Sequence, residues 1–187
     1  MARPRRLGRG IAGIVDGYGP EAAGIVGAPR ASSRRSEHAA PAARHRHAHR
    51  VERLVRTHGD FHPFNLLVDG DAIVLLDTSR GSVGEAADDL AALAINFLFF
   101  ALEHRAGWAS GLGLLWDAFF DAYAEARPDP GLFDVIAPFF AWRGLVVTSP
   151  AWYPGMSGED RDRILGFVER ALAAVRFDPA MGHEAMR

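Results

Sequence analysis

The chain has 187 residues, 49% hydrophobic and 24% charged, which is enough for one globular domain with its own core. It contains no cysteine, so disulfides, thiolate metal sites and a cysteine nucleophile are excluded. All 21 basic residues are arginine, which rules out any mechanism needing a catalytic lysine from this chain.

Charge is unevenly distributed. Residues 1–50 hold ten arginines and three acids, whereas the remainder holds eleven arginines and twenty acids. A basic arm of this kind can meet nucleic acid or a membrane surface. The reading adopted is a poorly structured basic leader over residues 1–36, with no nucleic-acid or membrane partner. The first 30 residues lack the continuous apolar region of a secretory signal, and a cytoplasmic location is expected.

The glycines from Gly8 to Gly19 and the stretch from Pro29 to Arg35 read as irregular or linker sequence. A helix is expected over about Glu37 to Arg53, with a later start because of Pro41. Val55 to His58 reads as extended. Leu66 to Val68 and Ile73 to Leu76, joined through Asp69-Gly70-Asp71, have the composition of a β-hairpin.

After Asp88 the pattern becomes helical: Asp88–His104, strongly apolar; Leu112–Ala126, ending before Pro128; Leu132–Thr148, with Pro138 as a place for a kink; and Gly158 to about Val175, capped by Ser157 with Asp160 at the capping-box position. The longest apolar run, Leu90–Leu102, is interrupted by Asn96 and falls short of the ~20 residues of a membrane span, so it reads as a buried helix. The predicted architecture is α+β and mostly α, a small β-hairpin set into a helical domain.

The residues that carry chemistry lie between His58 and Asp77. The run His58-Gly59-Asp60-Phe61-His62-Pro63-Phe64-Asn65 precedes the hairpin, and Asp77 follows it. Phosphoryl transfer to a hydroxyl needs a carboxylate to orient the nucleophile and accept its proton, and hard oxygen ligands for a divalent metal. Asp60 offers the first. Asn65 and Asp77 offer the second, and a hairpin returns the chain so that the two can approach. Each residue alone is equally consistent with a turn cap or a strand end; the joint pattern is what is specific.

At these positions the sequence resembles the aminoglycoside phosphotransferase family, relatives of choline and protein kinases. His58 to Asn65 matches the family's His-Gly-Asp-x-x-x-x-Asn loop, and Leu75-Leu76-Asp77 its metal-binding aspartate after a hairpin. Gly84-Glu85-Ala86-Ala87-Asp88-Asp89-Leu90-Ala91 corresponds to its Gly-Asp-Pro-x-x-Asp-Leu-Ala stretch, with Glu85 and Ala86 departing from Asp-Pro.

The resemblance implies the C-terminal lobe of a protein-kinase-like fold over residues 37–180: catalytic loop 58–65, hairpin 66–77 and helical subdomain 88–175. It implies ATP and Mg2+ as cofactors, a small-molecule hydroxyl as acceptor, Asp60 as catalytic base, and Asn65 and Asp77 as metal ligands. His58, His62 and Asp89 would support the site, Asp89 by bracing the loop. No cofactor-binding residue is assigned. Thr78 stands where the family usually has an aromatic or acidic residue, which leaves the acceptor subtype open.

A complete family member also has an N-terminal lobe supplying a lysine to the phosphates. This chain has no lysine and little sequence before Asp60, so the expectation is a truncated enzyme with weak or absent activity. The alternative is a catalytically silent half-domain acting as a binding module. Either version exposes apolar surface where that lobe would dock, a face on which a homodimer could form.

Other patterns in the sequence carry other readings. His45, His47 and His49 alternate as metal ligands on a strand would, but among Arg44, Arg46 and Arg50. Gly59-Asp60-Phe61-His62 also fits the first motif of metallophosphoesterases, whose further motifs are missing from the sequence. Asp117, Asp121 and Glu125 share a helix face, read as solvated, that could otherwise attract a cationic acceptor. Phe97, Phe99, Phe100, Phe119, Phe120, Phe139, Phe140 and Trp142 read as core, with the segments 139–143 and 150–154 as a second place for an acceptor pocket. Arg143, inside an apolar helix, is expected to pair with a carboxylate, and Arg80 with Glu85 or Asp88.

Overall fold

A computed structural model describes residues 51–187 of the chain. The basic leader, the glycines from Gly8 to Gly19, the alternating histidines and nearly all of the helix expected over 37–53 lie outside the described residues. The end of that helix, Val51–Arg53, is a single 3-10 turn.

Four short strands come first. β1 (Leu54–Thr57) pairs antiparallel with β4 (Ser82–Glu85), with Leu54 opposite Glu85 and Thr57 opposite Ser82. β2 (Leu66–Asp69) and β3 (Ala72–Leu75) form the hairpin expected from the sequence, with Leu66 opposite Leu75. Gly70 in its turn has φ +57°, a left-handed conformation that glycine adopts without steric cost.

β4 was not foreseen. Ser82-Val83-Gly84-Glu85 has no alternating pattern, and the segment becomes a strand because β1 lies beside it. Arg53 closes the end of the pair, holding both carboxylate oxygens of Glu85 at 2.9 Å and those of Asp129 at 2.6 and 2.8 Å.

The rest is helical. α1 is Ala86–Ala101, followed by a 3-10 segment Leu102–Ser110 that bends at His104 (φ −138°, ψ 51°). The helix expected to reach His104 therefore ends earlier. α2 is Leu112–Ala126, with the predicted bounds. The helix expected over 132–148 is two helices, α3 (Leu132–Val135) and α4 (Ala137–Val147). Pro138 sits in the first turn of α4, where its missing N–H leaves no helical bond unmade.

α5 is Gly158–Ala173, and its cap forms as predicted: Ser157 Oγ accepts from the Asp160 N–H at 3.1 Å. Asp160 is too short to complete the reciprocal box and instead accepts the Ser157 hydroxyl at 2.7 Å. α6 (Ala180–Ala185) was not expected.

The fold is thus α+β and mostly α. α4 packs against both α1 and α5, and Trp116, Phe140 and Phe167 at the core are all fully buried. Trp116 donates its indole N–H to the Pro179 carbonyl at 2.9 Å, and a Cβ added at Gly182 would come within 2.6 Å of its ring. A bare glycine is what lets α6 lie flush on the tryptophan. Of the other aromatics read as core, Phe120, Phe139 and Phe140 are buried, Phe97, Phe99 and Phe119 are partly so, and Phe100 is 37% exposed. Among the described residues, no helix is long and apolar enough to cross a membrane.

Candidate active site

The loop between β1 and β2 is held from two sides. From α1, Asp89 accepts hydrogen bonds from the N–H groups of His58 (2.6 Å) and Gly59 (2.9 Å), one on each carboxylate oxygen. Gly59 makes this approach with φ +82°, and a Cβ there would sit 2.5 Å from the Arg80 carbonyl oxygen. Only glycine satisfies both requirements.

From the hairpin side, the buried His58 ring lies between two backbone groups. Its Nε2 is 2.8 Å from the Leu76 carbonyl, which can only accept, and its Nδ1 accepts from the Asp60 N–H at 3.3 Å. These partners define a neutral imidazole protonated on Nε2.

Asn65 closes the loop. Its Nδ2 donates to the Asp60 carbonyl at 2.9 Å, which fixes the amide orientation, because a flipped amide would set two acceptors against each other. The second Nδ2 hydrogen points to His62 Nε2 at 3.2 Å, so His62 carries its own proton on Nδ1. The amide oxygen of Asn65 is then the end left for other partners. Its backbone carbonyl accepts from the Leu76 N–H at 2.9 Å. Asp60, Asn65 and the residue preceding Asp77 therefore belong to one hydrogen-bonded unit.

Asp77 lies two residues beyond β3 rather than at its end. It is the non-glycine residue with positive φ among those described (φ 50°, ψ 55°), in a region that aspartate tolerates better than most. The Ser79 hydroxyl donates to its Oδ1 at 2.6 Å. That hydrogen bond, with the Ser79 amide and nearby Arg80 adding to it, holds the exposed carboxyl below its ordinary value.

Two arginines flank Asp60. Arg80 Nη1 is 2.9 Å from its Oδ2, and Arg143 Nη1 is 4.0 Å from its Oδ1. The pairing expected for Arg80, with Glu85 or Asp88, is corrected here: Glu85 is taken by Arg53 and Asp88 by Arg143. Arg143 does meet a carboxylate, Asp88, at 2.9 Å. The Arg80 side chain is 66% exposed, so its pairing with Asp60 is a weak restraint.

Beside Asp60 opens a cavity of about 130 Å³, lined by residues of the loop, of α1 and of α4, with Tyr153 at its edge. Asn96 reaches it from α1 with its amide nitrogen bonded to the Ala92 carbonyl at 2.7 Å. Sequence reasoning missed Asn96; the polar break it makes in the apolar run Leu90–Leu102 was the available signal. The acidic face of α2 is elsewhere. Asp117 pairs with His183 at 2.8 Å, and neither it, Asp121 nor Glu125 lines the cavity.

Among the described residues, no three His, Cys, Asp or Glu side chains cluster closely enough to hold a metal by themselves. Magnesium in nucleotide sites does not require such a cluster, since one or two protein oxygens act there together with phosphates and water. The free amide oxygen of Asn65 and the exposed carboxylate of Asp77 are hard ligands of that kind.

The His-Gly-Asp loop is thus braced from α1 and tied to the hairpin, with Asp77 two residues past β3. The model of the phosphotransferase enzyme family matches residues 21–129, more than half of the chain, and the protein belongs to that family. The resemblance read from the loop is borne out at this level. No curated protein and no solved structure matches the chain significantly.

Proposed function

We propose that this protein carries the C-terminal lobe of a kinase-like enzyme that transfers phosphate from ATP to a small-molecule hydroxyl. The observation that carries the reading is the shared hydrogen-bonded unit of Asp60, Asn65 and the strand end before Asp77, braced by Asp89. Asp60 orients the acceptor hydroxyl and takes its proton as the oxygen bonds to the terminal phosphorus and the bridging P–O bond to ADP breaks. Asn65 and Asp77 would hold magnesium, which when bound neutralises charge on the phosphates. His58, through its neutral Nε2–H tautomer, keeps the loop registered against the hairpin. His62 and Asn65 steady one another.

A binding-module reading has one specific observation in its favour. On the hairpin Leu67, Val68, Ile73, Val74 and Leu75 are all exposed, Val68 and Ile73 to 66%. A surface of this kind suits a protein partner, including a second copy of this chain.

The test separates base from metal ligand. Magnesium-dependent ATP binding to the purified chain, measured by calorimetry, should fall at least about tenfold in Asp77→Asn (roughly 1.4 kcal/mol) and persist in Asp60→Asn. Any slow phosphoryl transfer should disappear in both. Tight binding of metal without nucleotide would point instead to a metal-dependent hydrolase, and equal ATP binding by Asp77→Asn and the parent would overturn the assignment.

A further inference from the structure

Asn96 interrupts the otherwise apolar run from Leu90 to Leu102 and is itself only 8% exposed. Asparagine is a poor helix former, and a buried amide with hydrogen bonds unmade costs stability. The fold gains little in return. The Asn96 Nδ2 donates to the Ala92 carbonyl at 2.7 Å, one turn back in the same helix, and among the described residues the side chain ties α1 to no other element.

That bond fixes which way the amide faces, because the Ala92 carbonyl can only accept. The oxygen is the free end. It receives no hydrogen bond from the described residues, yet it is not sealed from solvent as the unpartnered nitrogens of His62 and Arg143 are. Asn96 lines the cavity beside Asp60, and there its oxygen meets open space.

The rest of the lining narrows what that oxygen can receive. Ala92, Ile95, Val146 and Val147 make an apolar face. Asp60 already has Arg80 at 2.9 Å, and Arg143 belongs to the same lining. A cationic donor would meet these arginines, and an amide oxygen brings no charge to hold it. A hydroxyl needs none. A volume of about 130 Å³ suits a body of about benzene size.

We propose that Asn96 is a specificity-determining residue and that the acceptor is a compact, uncharged polyol. One hydroxyl meets Asp60, a second donates to Asn96 Oδ1, and the carbon skeleton lies against Ile95, Val146 and Val147. The placement of the first hydroxyl rests on Asp60 being the group that faces the acceptor.

The full chain should be titrated, without nucleotide or magnesium, with cyclopentanol, cis-1,2-cyclopentanediol, cis-1,3-cyclopentanediol and cis-3-aminocyclopentanol. Ligand-observed NMR gives the affinities. The better of the two diols should bind about tenfold more tightly than cyclopentanol, whereas a merely apolar pocket would rank the alcohol first. Asn96→Leu, nearly equal in volume, should abolish the diol preference, leave cyclopentanol unchanged and raise Tm by a few degrees. Asn96→Asp keeps the shape and adds charge, and should move the preference to the amino alcohol.

Cyclopentanol binding as tightly as both diols overturns the proposal, as does tightest binding of the amino alcohol by the parent, no binding of any compound, or a diol preference kept in Asn96→Leu. An Asn96→Leu chain that melts lower or fails to fold also overturns it, since the asparagine would then serve packing. The titration contains no ATP, so the ranking can fail while the magnesium-dependent result for Asp77→Asn stands, and the reverse.

Discussion

Replacing Asp89 with alanine tests whether the catalytic loop is held from α1. In the parent, two backbone N–H groups end on one carboxylate, at 2.6 Å from His58 and 2.9 Å from Gly59. A hydrogen bond to a charged group is worth about 1.5–3 kcal/mol, and a buried donor left without a partner costs about 1–3 kcal/mol. His58 is buried, so its N–H has little access to water, whereas Gly59 is only partly buried.

Counting one bond fully and the other in part places the cost of Asp89→Ala near 3 kcal/mol, a loss of roughly 6–12 °C in Tm for a domain of this size. Asp89→Asn keeps one acceptor oxygen and should lose about half as much. Urea unfolding with an unchanged m-value gives the energies, and amide hydrogen exchange at His58 and Gly59 localises them. If Asp89→Ala unfolds within about 0.5 kcal/mol of the parent, with both amides still protected, the loop is held by something else and the reasoning fails.

The Arg53 network should be sensitive to acid. Burial pushes the Asp129 carboxyl up, but the hydrogen bonds and charge of Arg53 outweigh it and leave the group below its usual 3.8. A depressed folded value stabilises the fold above the ordinary carboxylate range, and that stabilisation is lost as pH falls below 3.8 through the folded value. Arg53→Met should cost about 3 kcal/mol at neutral pH by stranding Glu85 and Asp129, and should flatten the acid limb of a stability–pH curve. A parallel acid limb in the variant would contradict this.

Gly59→Ala and Gly70→Ala form a matched pair. Both force a side chain into the left-handed region, at about 1–2 kcal/mol, but only at Gly59 does the new Cβ meet a carbonyl oxygen, at 2.5 Å. Thermal unfolding should show Gly59→Ala as clearly the worse, and equal losses would mean that the loop has room the structure denies it.

The site motif was legible in the sequence because its parts are local. A His-Gly-Asp loop, an asparagine five residues on and an aspartate after a two-strand turn are set by turn chemistry over some twenty residues. The bounds of α2 and the Ser157 cap were legible for the same reason, since each is decided within a few residues.

What the sequence did not disclose depends on neighbours far along the chain. β4 exists because β1 lies beside it, and α6 because Gly182 fits the face of Trp116. Arg80 turns to Asp60 because Arg53 and Arg143, from other elements, have already claimed Glu85 and Asp88.

The cavity is of the same kind. Sequence alone identified Asp60, Asn65 and Asp77 as a set of oxygen-bearing side chains and suggested what chemistry such a set serves. Only packing α1 and α4 against the loop brings Asn96, Arg143 and His62 together around one cavity. The pattern of a motif is carried by adjacency along the chain, whereas the shape and polarity of a binding pocket arise from elements distant in sequence, which meet only when the core closes.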